Sequence, residues 1–203
     1  MKKIIILVAL IFVSIVTMAQ VQYGVRAGMT LSTYYSAQDI FKFKPGIHVG
    51  AVADIPIGSS KFSFVPGVYF ADKGTKVKEY SSNNYNKETH YNYQLEIPLL
   101  FTYKFPINDK LSLKPQIGAY VAYGLFEITN WKIDYINTNT QPTEGTFTSY
   151  FYDYPFGLLF GANAGLSAFY NKYSFTLSCD ISSISRLRKY PDICLFFSLG
   201  YNF

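Results

Sequence analysis

Apolar and polar side chains alternate with a period of two along most of this chain, and the alternation runs to the last residue. Ile193, Leu195, Phe197, Leu199, Tyr201 and Phe203 share one face of the final segment; Asp192, Cys194, Phe196, Ser198, Gly200 and Asn202 share the other. Alternation of this kind is the signature of a strand with two unlike faces. It predicts eight strands, over residues 21–32, 44–57, 61–73, 89–105, 110–126, 154–170, 172–183 and 192–203. The connections alternate in length. Ile57–Ser60, Pro106–Asp109 and Asn171–Lys172 are tight, whereas 33–43, 74–88, 127–153 and 184–191 are long. Strict alternation of short and long is the connectivity of an antiparallel up-and-down meander closed into a transmembrane barrel.

The fourth strand shows which face points where. Tyr91, Tyr93, Leu95, Ile97, Leu99, Phe101, Tyr103 and Phe105 oppose Asn92, Gln94, Glu96, Pro98, Leu100, Thr102 and Lys104. Bulky rings do not fit an eight-stranded interior, which is only wide enough to be filled by side chains. Turning the barrel inside out would put Glu96, Lys104 and Lys114 into hydrocarbon, at about 2–4 kcal/mol per mid-depth lysine. The apolar face therefore points to lipid, and a soluble, ligand-holding barrel is the poorer reading. The expected fold is all-β: an eight-stranded antiparallel transmembrane β-barrel.

The N-terminus fits this destination. Lys2 and Lys3, the apolar run Ile4–Val16 and Thr17-Met18-Ala19 form a cleavable secretion signal, so residues 1–19 are expected to be removed and 20–203 to form the barrel. With 19 Tyr and 18 Phe among 203 residues, the chain is rich in the aromatics that line membrane interfaces. The formal charge of +5 falls to +3 once the signal's two lysines are set aside, and no basic stripe suggests nucleic acid. An even strand count places both termini on the periplasmic side and the long loops outside the cell.

Two details strain the pattern. Pro66, Pro98 and Pro115 interrupt strands that have no edge on which to hide them, which predicts a seam of bulges. Cys179 and Cys194 fall on opposite faces of adjacent strands, which predicts free thiols.

Arg26, His48, Asp54, Glu96, Lys104, Lys114 and Asp180 all fall on the inward face. Ionisable groups at membrane depth are functional candidates unless they satisfy one another. The expectation is a paired polar plug, with Glu96 bound to Arg26 or Lys114. No catalytic set emerges: neither His48 nor His90 has a serine two residues along its strand, and His90 beside Glu88 reads first as a solvated rim pair and only second as a surface acid/base pair. Two histidines and two separated cysteines give no metal-ligand spacing, and no cofactor motif is present. The long loops carry Trp131, Tyr135 and Tyr150 as recognition candidates, and Arg186, Arg188 and Lys189 as contacts for lipopolysaccharide phosphates.

Tyr23–Leu31, Tyr93-Gln94-Leu95-Glu96-Ile97-Pro98-Leu99-Leu100 and Phe156–Gly165 resemble the Bacteroidota-type outer-membrane β-barrel domain family, which includes PorT-like proteins. The resemblance implies an integral outer-membrane barrel in a Gram-negative cell; its PorT-like members are associated with protein secretion. Three classes of function stay open. The first is a non-catalytic, monomeric barrel with a closed lumen, surrounded by outer-membrane lipid and lipopolysaccharide. It would act through its loops in binding, adhesion or envelope structure, or with secretion or envelope proteins as a secretion accessory. The second is a barrel enzyme acting on lipid A or peptides. The third is a small-solute porin.

Overall fold

The computed structural model describes residues 21–36, 40–81, 84–135, 141–150, 158–182 and 191–203. The expected signal sequence and Arg186, Arg188 and Lys189 lie outside the described residues. The strands are β1 (Gln22–Tyr34), β2 (Phe41–Lys42), β3 (Lys44–Pro56), β4 (Phe62–Tyr80), β5 (Asn84–Tyr103), β6 (Phe105–Pro106), β7 (Leu111–Tyr135), β8 (Thr143–Tyr150), β9 (Leu158–Tyr170), β10 (Tyr173–Ser182) and β11 (Asp192–Asn202). Eight of them close a ring, β1-β3-β4-β5-β7-β9-β10-β11, which returns to β1 through Gly24↔Asn202 to Tyr34↔Asp192. Every pairing is antiparallel, so closure leaves the ring without an edge.

The two faces separate as the alternation requires. Met29, Ile47, Val49, Ile97, Leu99, Phe101, Ile117, Phe160, Phe175 and Leu199 are exposed on the outer face, while charged and amide side chains are buried inside. An apolar exterior around a polar core is stable only in lipid. Aromatic rings mark the two ends of the apolar band. Near the short turns, Phe62, Tyr103 and Phe105 pack edge-on or tilted in sequence, with ring centres 4.7 and 4.5 Å apart, and so do Tyr173, Tyr201 and Phe203 at 5.5 and 5.6 Å. Near the long hairpins, Phe70, Tyr93 and Phe126 stack face to face at 5.9 and 4.7 Å. Tyr93 and Tyr103 are ten residues apart on β5. At about 3.3 Å per residue and a tilt near 40°, that covers about 25 Å, the height of an outer-membrane apolar band.

Three expectations need correction. First, the described residues of 74–88 and 127–153 are mostly strand, not loop: β4 and β5 pair through Tyr80↔Tyr85, and β7 pairs with β8 as a hairpin, from Phe126↔Tyr150 to Ile133↔Thr143. Polar residues dominate these extensions, although Trp131, Ile133 and Tyr135 still alternate with Asn130, Lys132 and Asp134, so the continuous apolar face that marks a spanning strand is lost. Second, the prolines make no bulges. The β4–β5 ladder opens between Pro66↔Leu99 and Tyr69↔Glu96 and resumes in the same register, while Pro115 sits in continuous pairing. Third, the ladder slips by one residue elsewhere, at Tyr93/Gln94 in the β5–β7 pair. Cys179 and Cys194 are free and occupy neighbouring strands, where Asp180 pairs with Cys194.

β4 also leaves the wall. Its pairing with β3 ends at His48↔Ala71, and Ala71 to Thr75 are all buried, whichever way their side chains point. Thr30 Oγ1 donates to the Asp72 carbonyl at 2.7 Å and Ser32 Oγ to the Gly74 carbonyl at 2.9 Å, both from β1, which is not a ladder neighbour of β4. This crossing passes over Gly46: a Cβ there would meet the Asp72 carbonyl at 2.2 Å. The missing side chain lets β4 tuck into the lumen.

Candidate functional site

The tuck of β4 delivers Lys73 to the middle of the barrel. Its Nζ lies 2.7 Å from Glu96 Oε2 on β5 and 2.8 Å from Asp180 Oδ2 on β10. All three side chains are almost wholly buried. The rings of Tyr120 and Phe196 flank the ammonium at 4.7 and 5.0 Å, adding cation–π attraction. Asn163 donates to the second Asp180 oxygen, Gln116 to Asn163 at 3.2 Å, and Gln94 to Glu96 at 3.2 Å. A second tier near the short turns pairs Lys114 with Asp54, across from β7 to β3. A third, toward the hairpins, pairs Lys44 with Asp72 at 2.6 Å. Carboxylates and ammonium groups that would each cost several kcal/mol to bury alone are thus matched.

The structure places Arg26, His48, Glu96, Lys114 and Asp180 in this interior, with Asp54 half-buried at its edge. Lys104 is not among them. It follows the last residue of β5 and is exposed, because the inward face ends where the strand meets the turn. Glu96 does not pair directly with Arg26 or Lys114; its partner is Lys73, while Arg26 and Glu96 line a common cavity of about 20 Å³ with Tyr69 and Gln116. That volume holds about one water molecule. Lys73 escaped sequence reading because it sits at the last position of an expected strand, and its partners depend on the barrel's shear. The one available signal was its parity with Tyr69 and Ala71.

His48 finds a serine across strands. Nε2 is 2.8 Å from Ser198 Oγ on β11, reaching over Gly28 of β1, which is paired with both. A Cβ on Gly28 would come within 3.0 Å of the imidazole. The Nδ1 of His48 is buried without a partner, so no orienting acid completes a triad. The ring instead packs edge-on against Phe196 at 5.0 Å.

A second polar cluster lies beyond the hairpin-side aromatic belt. The bulge at Leu125, between Gly124 and Phe126, switches which residues of β7 face inward: Tyr120, Ala122 and Gly124 below it, Glu127 and Thr129 above it. Glu127 Oε1 thereby reaches His90 Nδ1 at 2.9 Å, Glu88 Oε2 lies 3.2 Å from Nε2, and Thr129 Oγ1 is 3.1 Å from Nδ1. Burial lowers the affinity of this imidazole for its proton, but the hydrogen bond and charge of Glu127, joined by Glu88, outweigh it and raise the pKa above its usual value. The His90–Glu88 pairing read from sequence is present; Glu127, assigned there to a loop, was missed.

The aromatic recognition candidates do not converge. Trp131 and Tyr135 share one face of β7, with the Trp131 indole lying over Gly145, while Tyr150 is on the opposite face beside Phe126 at 6.3 Å. Of the three, Trp131 borders an open polar cleft of about 510 Å³, together with Lys87, Thr89, Asn130, Lys132, Glu144 and Thr146.

Lipid-facing strands, two aromatic belts and a polar, ion-paired lumen define an integral outer-membrane β-barrel with eight strands. The chain belongs to the outer membrane protein beta-barrel domain family, whose match covers residues 18–183. Among solved structures it is similar to Ail, the attachment invasion locus protein of Yersinia pestis, crystallised with the heparin analogue sucrose octasulfate. The identity is 15% over 90% of this chain and 99% of that one, with a TM-score of 0.44. It is also similar to Neisserial surface protein A (14% identity, 89% of this chain and 97% of that one, TM-score 0.47) and to OprG of Pseudomonas aeruginosa (10%, 91% and 97%, 0.40). No curated protein matches.

Proposed function

We propose that this is a non-catalytic, monomeric outer-membrane protein with a closed lumen, which works by binding at its hairpin end. In this reading the termini and short turns are periplasmic and the hairpins extracellular, with Arg186, Arg188 and Lys189 meeting lipopolysaccharide phosphates. The observation that carries it is the Lys73–Asp180 contact through the lumen, combined with strands that continue well past the aromatic belt. A plugged barrel offers solutes no path, which disfavours a porin, and a projecting sheet offers a surface. An enzyme is disfavoured because the buried His48–Ser198 pair has neither access nor an acid partner.

A secretion-accessory role of the PorT-like kind is the second reading. It is favoured by the Glu96–Leu100 resemblance and by the short-turn rim, where Lys61, Lys104, Lys110 and Lys172 are all exposed beside Asp109. That rim suits an acidic periplasmic partner.

The test is purification of the tagged protein from native outer membrane in mild detergent, with and without residues 127–150. A stoichiometric partner lost on trimming supports hairpin-end binding. A partner retained on trimming but lost when the four rim lysines are replaced by glutamine favours the second reading. An open-channel conductance in planar bilayers overturns both.

A further inference from the structure

Lysines line up across the outer face of the projecting sheet. On β5, Tyr91, Thr89 and Lys87 continue the lipid-facing row of Leu95 and Tyr93, on the side opposite Glu88 and His90. Residues directly across an antiparallel ladder share a face, so the register fixes their neighbours. Lys78 of β4 stands opposite Lys87, and Lys87 opposite Lys132 of β7. One row nearer the aromatic belt, Lys76, Thr89 and Asn130 align in the same way. At a spacing of about 5 Å between facing Cβ atoms, the upper row carries three lysines within about 10 Å.

Like charges directly opposite one another destabilise a sheet, and this row holds two such pairs. Asp134 lies 3.4 Å from Lys87 Nζ and 3.5 Å from Lys132 Nζ, and Glu144 faces Lys132 across the β7–β8 ladder. Two carboxylates thus answer four lysines among the described residues of this face. Lys78 and Lys87 are exposed, Lys76 and Lys132 half-buried. The Lys87 ammonium is held over the Tyr85 ring at 4.5 Å, and that ring stacks on Tyr80 at 4.1 Å. A row of cations in register is favourable where a bound anion supplies the remaining countercharge. Beside it, Thr89, Asn130 and Thr146 border the open polar cleft, with Thr146 Oγ1 donating to Asn130 Oδ1 at 2.9 Å. Ammonium groups next to hydroxyls and an amide suit a phosphorylated sugar.

We infer that Lys76, Lys78, Lys87 and Lys132 form a binding site for the phosphorylated sugars of lipopolysaccharide, on the outer wall of the projecting sheet. This rests on the reading that places the hairpins outside the cell. The phosphates meet the ammonium groups, and the sugar hydroxyls meet Thr89, Asn130 and Thr146 in the cleft.

Height selects this ligand over phospholipid. Thr89 and Lys87 are four and six residues beyond Tyr93 on β5, which puts the two rows about 10 and 15 Å above the aromatic belt. The polar headgroup layer of an ordinary bilayer is only about 5–8 Å thick on each side. Lysine stems of the lower row bend down to that layer, but the upper row stands above it. Phosphorylated sugars of a lipopolysaccharide core extend to the upper row, and phospholipid headgroups do not.

The experiment titrates the full mature chain, folded in detergent micelles, with core-bearing lipopolysaccharide, with the same lipopolysaccharide after phosphatase treatment, and with phosphatidylglycerol. Native mass spectrometry reads the bound fraction. The untreated lipopolysaccharide should bind about tenfold or more tighter than either of the others. Replacing all four lysines with glutamine should weaken it about tenfold or more. Replacing them with arginine, or replacing Lys61, Lys104, Lys110 and Lys172 of the short-turn rim with glutamine, should leave it unchanged. The heat-dependent gel shift verifies that each variant folds. Equal binding of the phosphatase-treated lipid or of phosphatidylglycerol overturns the proposal, as does an unchanged affinity in the glutamine variant. An epitope inserted after Pro142 should be reached by antibody on intact cells. If it is not, the extracellular reading fails and takes the site with it; if it is reached while the glutamine variant binds normally, the lysine site alone falls.

Discussion

Lys73 on β4 and Asp180 on β10 are 107 positions apart in sequence, yet their charged atoms lie 2.8 Å apart. In the closed ring, three strands lie between β4 and β10 in either direction, so this contact runs along a diameter. Two features make it reachable: β4 tucks inward over Gly46, and Asn163 holds the Asp180 carboxylate from the neighbouring strand. The plug therefore also ties together opposite walls of the barrel.

Replacing Lys73 with methionine leaves Glu96 and Asp180 buried without their cation. That variant should lose about 3–5 kcal/mol of stability, the usual cost of stripping one partner from a buried ion pair. Asp180→Asn leaves a one-to-one Lys73–Glu96 pair and should lose clearly less. Urea unfolding in lipid vesicles gives the order; equal losses would mean that Lys73 is not the organising charge.

His90 should titrate above 6.5. Because its folded pKa is raised, the stability contributed by the protonated ring is complete below the unfolded value of about 6.5 and is lost as pH rises through the folded pKa. Amide exchange where β5 meets β7 near His90 and Thr129 should accelerate over that range. In Glu127→Gln, NMR titration of the ring should show its pKa falling. A wild-type pKa below 6.5 would contradict the arrangement.

Gly46→Ala is expected to be costly, since the added methyl meets the Asp72 backbone carbonyl as well as the Thr30 hydroxyl that bonds to it. Overpacking of this kind typically costs about 1–3 kcal/mol. The gel-shift temperature of the folded barrel should drop measurably. An unchanged temperature would show that β4 can return to the wall without penalty.

The two thiols should differ in reactivity without forming a bond. Cys194 is buried in the lumen and Cys179 is partly exposed. A small membrane-permeant maleimide should modify Cys179 in the folded barrel, and Cys194 only after denaturation. Mass spectrometry of the labelled protein counts the additions, and a mass deficit of two hydrogens before labelling would reveal a disulfide instead.

The sequence by itself determined the number of ring strands, the short turns and the division of each spanning strand into a lipid face and a lumen face. Local alternation carries that information, because hydrocarbon and a packed polar interior demand opposite side chains at successive positions. It placed Arg26, His48, Glu96, Lys114 and Asp180 inside for the same reason. Only the tertiary structure decided who meets whom. The Lys73–Asp180 and Lys114–Asp54 pairs depend on shear and closure, which sum over the whole ring. The arrival of Glu127 at His90 depends on a single bulge that reverses the faces of β7. The extensions of β4, β5 and β7, and β8 itself, were hidden because strands surrounded by water need no apolar face. Their order comes from the neighbours they pair with, and no local pattern records it.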